Sequence, residues 1–177
     1  YERNIPVSLD DIRATTRYFD EPLGDSSNVP TSLVAKMARE KVAVSLSGDG
    51  GDELFMGYGH YRAHWHLPAY KKVLAVLLGY TPDKLYKRSH LNMFTPRERA
   101  RLWKGGREAV ERDPASRIDL SEAQTPLQKI NLLDMHLKLP GDMLVKVDRS
   151  SMMHSLEVRS PFLNHKLAQF AFNLPDE

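Results

Sequence analysis

Seven consecutive residues, Ser47-Gly48-Asp49-Gly50-Gly51-Asp52-Glu53, constrain this chain more than any other stretch. They follow a β-type apolar run, 42–46, and precede Leu54-Phe55-Met56, which suits a helix. Glycines can take positive φ and let the backbone approach a ligand closely. Asp49, Asp52 and Glu53 place three carboxylates in five positions with no basic residue among them. A strand that runs out into glycines and acids is where open α/β sheets hold ligand chemistry, outside the carboxyl ends of their strands. The same composition also makes an ordinary acidic turn, because Gly, Asp and Ser favour turns for purely local reasons. A second block, 139–163, decides between the two.

The elements around the loop follow from local signals. Ser8 with Asp10 and Asp11 caps a helix running toward Phe19. The stretch 20–28 is loop-like, being rich in Pro, Gly and Asx/Ser residues. A helix from about Pro30 to Glu40 carries Leu33, Val34 and Met37 on one side, and the strand 42–46 follows. Helix, strand, acidic loop and helix in that order form an α/β unit. Beyond residue 54 strand signals fade. Ala69–Leu78 reads as helix, and Thr95-Pro96-Arg97-Glu98 as a capped helix start. Thr125-Pro126-Leu127-Gln128 repeats that start and opens a helix with Leu127, Ile130, Leu133 and Leu137 at helical spacing. Further helices are expected over 143–154 and 164–172. A lone strand would leave its backbone groups unpaired, so its partners are expected outside this chain, or else in the first residues.

At 177 residues, 41% apolar and 27% charged, the chain suits one globular domain or part of one. It has no apolar run long enough to span a membrane and no signal-like start, so a cytoplasmic location without membrane contact is expected. The absence of cysteine removes disulfides, thiolate metal sites and a cysteine nucleophile from this stretch. Starting at Tyr1 and ending at Glu177, it reads as a piece of a longer protein. Net charge is only +2, but 71–112 holds eleven Lys or Arg against four acids. Those bases are interleaved with helix formers rather than with stacking aromatics. A solvated helical face is therefore favoured over a nucleic-acid surface.

The second block reads Leu139-Pro140-Gly141-Asp142-Met143-Leu144-Val145-Lys146-Val147-Asp148-Arg149-Ser150-Ser151-Met152, then Ser155-Leu156-Glu157-Val158-Arg159-Ser160-Pro161-Phe162-Leu163. Together with Leu46–Gly57 and the loop from Asp20 to Thr31, it resembles the C-terminal synthetase domain of glutamine-dependent asparagine synthetases. The resemblance implies an α/β fragment, mostly helical as cut, of a PP-loop ATP pyrophosphatase fold with a parallel sheet flanked by helices. It also implies activation of the aspartate carboxylate by Mg²⁺-ATP to β-aspartyl-AMP, followed by attack of ammonia from an N-terminal glutaminase domain. By the same resemblance Ser47 and Gly48 belong to the adenylate-side loop. Asp49 matches an acid in proton transfer from the attacking ammonia, and Asp52 the acid that holds the aspartate substrate. Glu53 supports the loop. Asp25, Ser26, Ser27 and Thr31 resemble a loop of the nucleotide and substrate pocket.

Lys146 and Arg149, at i and i+3 on one helix face, can present two cations to phosphate or carboxylate. The alternative is a structural ion-pair network with Asp142, Asp148, Glu157 and Arg159. No protein metal ligand is assigned; the expected Mg²⁺ arrives with ATP. His60, His64 and His66 suggest a metal only weakly, since no nearby acid completes a set.

Asn164, Ser160, Met56 and Gly59 depart from the commonest family pattern. The family's phosphate loop, Ser-Gly-Gly-x-Asp-Ser, is absent from residues 1–177. It is expected upstream, with the glutaminase domain further upstream and a catalytic lysine downstream, so this stretch alone is expected to be inactive. A related amidotransferase acting on another carboxylate, such as a polysaccharide sugar acid or a β-lactam precursor, is the alternative function. A non-enzymatic nucleic-acid module is a remote one. Family members are often dimers, so a homodimer is an expected partner state.

Overall fold

The computed structural model describes residues 4–61, 68, 70, 71, 77, 98, 101, 102 and 114–175. Most of the expected helix at 69–78, the Thr95-Pro96 helix start, most of the basic stretch, and His64 and His66 fall outside the described residues; residues 70, 71 and 77 are helical. In chain order the elements are α1 (Leu9–Tyr18), α2 (Asn28–Arg39), β1 (Val44–Leu46), α3 (Gly51–Leu54) and α4 (Pro126–Leu133). A π-helical stretch (Asp134–Met143), α5 (Leu144–Met152), β2 (Glu157–Arg159) and α6 (His165–Phe172) follow, with short 3-10 turns at Pro114–Arg117 and Pro161–Leu163 among the described residues. They divide into two compact units, one made of 1–50 and 139–168, the other of 51–138 and 169–177. No described helix is long and apolar enough to cross a membrane.

In the first unit, α1 begins where Ser8 and Asp11 form a reciprocal capping box. The Asp11 amide donates to Ser8 Oγ at 3.1 Å, and the Ser8 amide to Asp11 Oδ2 at 3.0 Å. Two of the helix's orphan N-terminal donors are thereby handled locally. Helix α2 buries Val29, Ser32, Leu33 and Ala35 and packs against α5 and α1. Val34, expected on the inner side, is 57% exposed. The buried stripe runs through 29, 32 and 33, and Val34 lies a further 100° round the helix.

The strand partner is a correction to the sequence reading. β1 pairs in parallel with β2, in the register Val44–Glu157, Ser45–Val158 and Leu46–Arg159. Hydrogen bonds donated by the Glu157 amide to the Ala43 carbonyl (3.0 Å) and by the Ser47 amide to the Arg159 carbonyl (2.9 Å) extend the ladder. A partner was expected outside the chain or near its start; it lies inside the second sequence block. Charged residues at both ends of a three-residue strand leave little hydrophobic pattern to read, and the backbone pairing carries it. α6 starts one residue later than expected, with Asn164 Oδ1 accepting the Lys166 amide at 3.0 Å. The departure at Asn164 thus leaves a working cap.

In the second unit, α4 starts with the expected capping box between Thr125 and Gln128 and Pro126 in its first turn. Leu127, Ile130 and Leu133 are buried. Ile130 and Leu133 form the core with Tyr61 and Ala115, with Met56, Tyr58 and Leu137 packed around them. Leu137 already lies in the π-helical stretch, which holds Pro140 and follows a wider spacing than the α-helix. α3 begins at Gly51, inside the acidic motif rather than after it. Asp52 and Glu53 sit in its first turn, where carboxylates suit the positive end of a helix dipole.

Candidate active site

β1 and β2 run parallel, so Ser47 and Ser160 leave the sheet at the same carboxyl edge. Their hydroxyls lie 2.8 Å apart. Ser160, a departure from the family pattern by sequence, thus supplies a second hydroxyl beside the first residue of the acidic loop. Gly50 follows at φ 89°, and a Cβ there would meet Leu163 Cδ2 at 2.6 Å. The left-handed φ favours glycine at that position, and a larger residue would also displace the Leu163 side chain. Gly48 has open space around it. Asp49 is half-buried, with no ion pair or hydrogen bond among the described residues.

The loop from Asp20 to Thr31 is tied to α5 by two ion pairs. Lys146 Nζ lies 2.7 Å from Asp25 Oδ2, and Arg149 Nη1 lies 2.6 Å from Asp20 Oδ2. Asp25 Oδ1 accepts the Ser27 amide at 2.8 Å, and Thr31 Oγ1 donates to the Ser27 carbonyl at 2.7 Å. Ser150 Oγ donates to the Asn28 carbonyl at 3.2 Å. The structure therefore gathers Asp25, Ser27, Thr31 and Lys146, with Ser26 exposed beside them. The ion pairs expected of Lys146 and Arg149 as structural residues are present, but their acids are Asp25 and Asp20. Arg159 pairs with Glu157 at 2.8 Å on the surface.

Partial burial pushes the Asp25 carboxyl upward, but the Lys146 ammonium and the Ser27 amide outweigh it and hold the pKa at about 2. A depressed folded-state pKa gives stability that is fully present above the unfolded value of 3.8 and is lost as pH falls through about 2. The shift corresponds to about 2 kcal/mol. Asp25→Asn should therefore reduce by about 2 kcal/mol the loss of stability that the full-length protein shows between pH 4 and pH 2. Denaturant melts across that window check it; superimposable curves for the two proteins would refute the assignment.

In the second unit, Asp52 is exposed and Glu53 is only 1% exposed. Tyr58 Oη donates to Glu53 Oε1 at 2.6 Å, and Asn131 Nδ2 donates to the Glu53 carbonyl. Burial, and then the hydrogen bond to Glu53, push the Tyr58 phenol well above the ordinary tyrosine range. It remains a proton donor at any physiological pH. His60 Nε2 lies 3.2 Å from Asp134 Oδ2, which also accepts from Tyr61 Oη. Among the described residues no group of His, Cys, Asp or Glu is arranged to hold a metal. Sequence reasoning missed Tyr58, Asn131, Asp134 and the role of Ser160. The last stood out only as an unusual residue before Pro161.

The family model for asparagine synthase matches residues 7–177. "Asparagine synthetase (glutamine-hydrolyzing) 1" of Bacillus subtilis is 30% identical over 184 residues, covering 90% of this chain and 29% of that protein. A Mycobacterium bovis protein named "Putative asparagine synthetase (glutamine-hydrolyzing)" is 34% identical over 185 residues, covering 89% of this chain and 28% of that protein. The chain thus spans less than a third of the length of these relatives. No solved structure matches it.

Proposed function

This chain belongs to the asparagine synthase family, and on that premise we propose that it forms part of the synthetase half of an ATP-dependent carbon–nitrogen ligase making asparagine from aspartate. The observation that supports this most directly is the acidic loop at the carboxyl edge of a parallel strand pair. Asp49 and Asp52 have no cation paired with them among the described residues, so their charge is available to a cationic or proton-losing group.

Asp52 holds the ammonium of the amino-acid substrate by a charge-assisted hydrogen bond. Asp49 takes a proton from the attacking ammonia as a general base. Ser47, its hydroxyl oriented by Ser160, and the open backbone at Gly48 bind the adenylate side. Mg²⁺-ATP, when bound, supplies activation of the substrate carboxylate. The residues here fit its triphosphate less well than its adenylate end. The two candidate phosphate cations, Lys146 and Arg149, are each paired with an acid, and no Ser-Gly-Gly-x-Asp-Ser loop occurs in the sequence. Lys146 and Arg149 accordingly shape the Asp20–Thr31 loop against α5. The main phosphate grip and the ammonia supply, from a glutaminase domain, come from other parts of the longer protein. Use of ATP places the proposed reaction in the cytoplasm.

The test is ATP–pyrophosphate exchange by the full-length protein, with and without aspartate. Exchange that requires aspartate is the expected result. A folded, nucleotide-binding protein that exchanges only with another carboxylate would retain the fold assignment and replace the acceptor.

A further inference from the structure

We propose that Tyr58 is a positioning residue: by holding the Glu53 carboxylate inside the second unit, it fixes α3 so that Asp52 is presented outward to the substrate. The proposal rests on the reading of Asp52 given above and extends it to a residue that touches no substrate.

α3 is one turn long, and a single turn is not stable in isolation because nucleating a helix fixes several residues for one hydrogen bond. Its own bond, from the Phe55 amide to the Gly51 carbonyl, is 3.0 Å. Something outside the turn must hold it, and two contacts do so. Tyr58 grips the Glu53 side chain at 2.6 Å, and Asn131, from α4, grips the Glu53 backbone carbonyl. Successive residues project about 100° apart on a helix. Once Glu53 is pinned inward, Asp52 has only one sector to occupy, and it is the exposed one.

The turn is closed on its other side as well. Met56 takes the left-handed conformation at φ 53°, and the Gly57 amide donates to the Asp52 carbonyl at 2.9 Å. A Cβ on Gly57 would collide with Asp52 Oδ1, so the glycine leaves the space in which the Asp52 carboxylate rests. Tyr58 is itself held in place. The His60 ring stacks on it at 5.3 Å with 20° between planes, and Lys138 Nζ sits 3.8 Å from its ring centroid. The buried Glu53 is thereby explained as an anchor: a carboxylate taken out of water needs a donor, and that requirement locks the neighbouring residue's direction.

The experiment removes the hydroxyl alone, Tyr58→Phe, in the full-length protein. Backbone amide exchange over 51–57 should accelerate at least about tenfold, with no substrate present and with exchange in α4 unchanged, as expected when one hydrogen bond to a charged group is lost. In ATP–pyrophosphate exchange, KM for aspartate should rise about tenfold while KM for Mg²⁺-ATP stays within about twofold. A merely structural role would move both KM values together, and that result would overturn the proposal. Unchanged amide exchange over 51–57 would overturn it too. If the wild-type protein shows no aspartate-dependent exchange, the reading of Asp52 fails, and the amide exchange still decides the anchor. Should Tyr58→Phe not fold, Asn131→Ala releases the second grip and must show the same local acceleration; its absence would equally refute the anchor.

Discussion

Asp52→Asn in the full-length protein is expected to raise KM for aspartate by about 10- to 100-fold and leave KM for Mg²⁺-ATP nearly unchanged. Asparagine keeps the shape of the side chain but removes the charge that pairs with the substrate ammonium. A hydrogen bond to a charged group contributes about 1.5–3 kcal/mol, which converts to that range of affinity. Initial rates of ATP–pyrophosphate exchange against aspartate concentration read it directly. The neighbouring Asp49→Asn gives a contrast: as a general base, Asp49 should affect the rate of asparagine formation by about 100-fold or more and the KM for aspartate little. If Asp52→Asn leaves aspartate binding intact, the acidic loop does not hold the amino acid, and its chemistry belongs to another group.

The largest effect on stability is expected at Asp134, which is fully buried at 0% exposure and accepts from Tyr61 Oη, with His60 Nε2 3.2 Å away. Asp134→Ala takes the acceptor from two donors beside the Tyr61, Ile130 and Leu133 core and leaves a small void. An unsatisfied buried polar group costs about 1–3 kcal/mol, and truncation of a packed side chain adds to it. A loss of about 3 kcal/mol follows, measured as a shift in denaturation midpoint at constant m-value. A loss below about 1 kcal/mol would mean that the two donors find other acceptors, and that Asp134 contributes little to the core.

What the sequence could and could not reveal divides along the range of the interactions. Capping boxes are written in four adjacent residues, and Ser8 with Asp11 and Thr125 with Gln128 both appear as expected. The apolar spacing at 127, 130 and 133 likewise marks the buried side of α4 without reference to the rest of the chain. Distant partners leave no such local trace. Lys146 meets Asp25 across 121 positions, and nothing near either residue distinguishes that acid from Asp142 or Asp148. β2 was hidden because charged residues at 157 and 159 flank its one apolar residue. Glu53 was readable as a supporting residue, but its donor, Tyr58, carries no pattern that separates it from any other core tyrosine.

The strand pair has a consequence for the order of events at the ribosome. Ser47 and Ser160 are 113 positions apart, and β1 cannot pair with β2 until β2 has been made. At about 5–20 residues per second of synthesis, this strand pair waits on the order of ten seconds for its second member. Closing so long a loop is also slow by its topology. During that interval the acidic loop, with three like charges and no apolar side chain from Ser47 to Glu53, acts as a gatekeeper against strand-to-strand aggregation. The residues proposed to meet the substrate in the finished enzyme would then also protect the nascent chain before this strand pair can form.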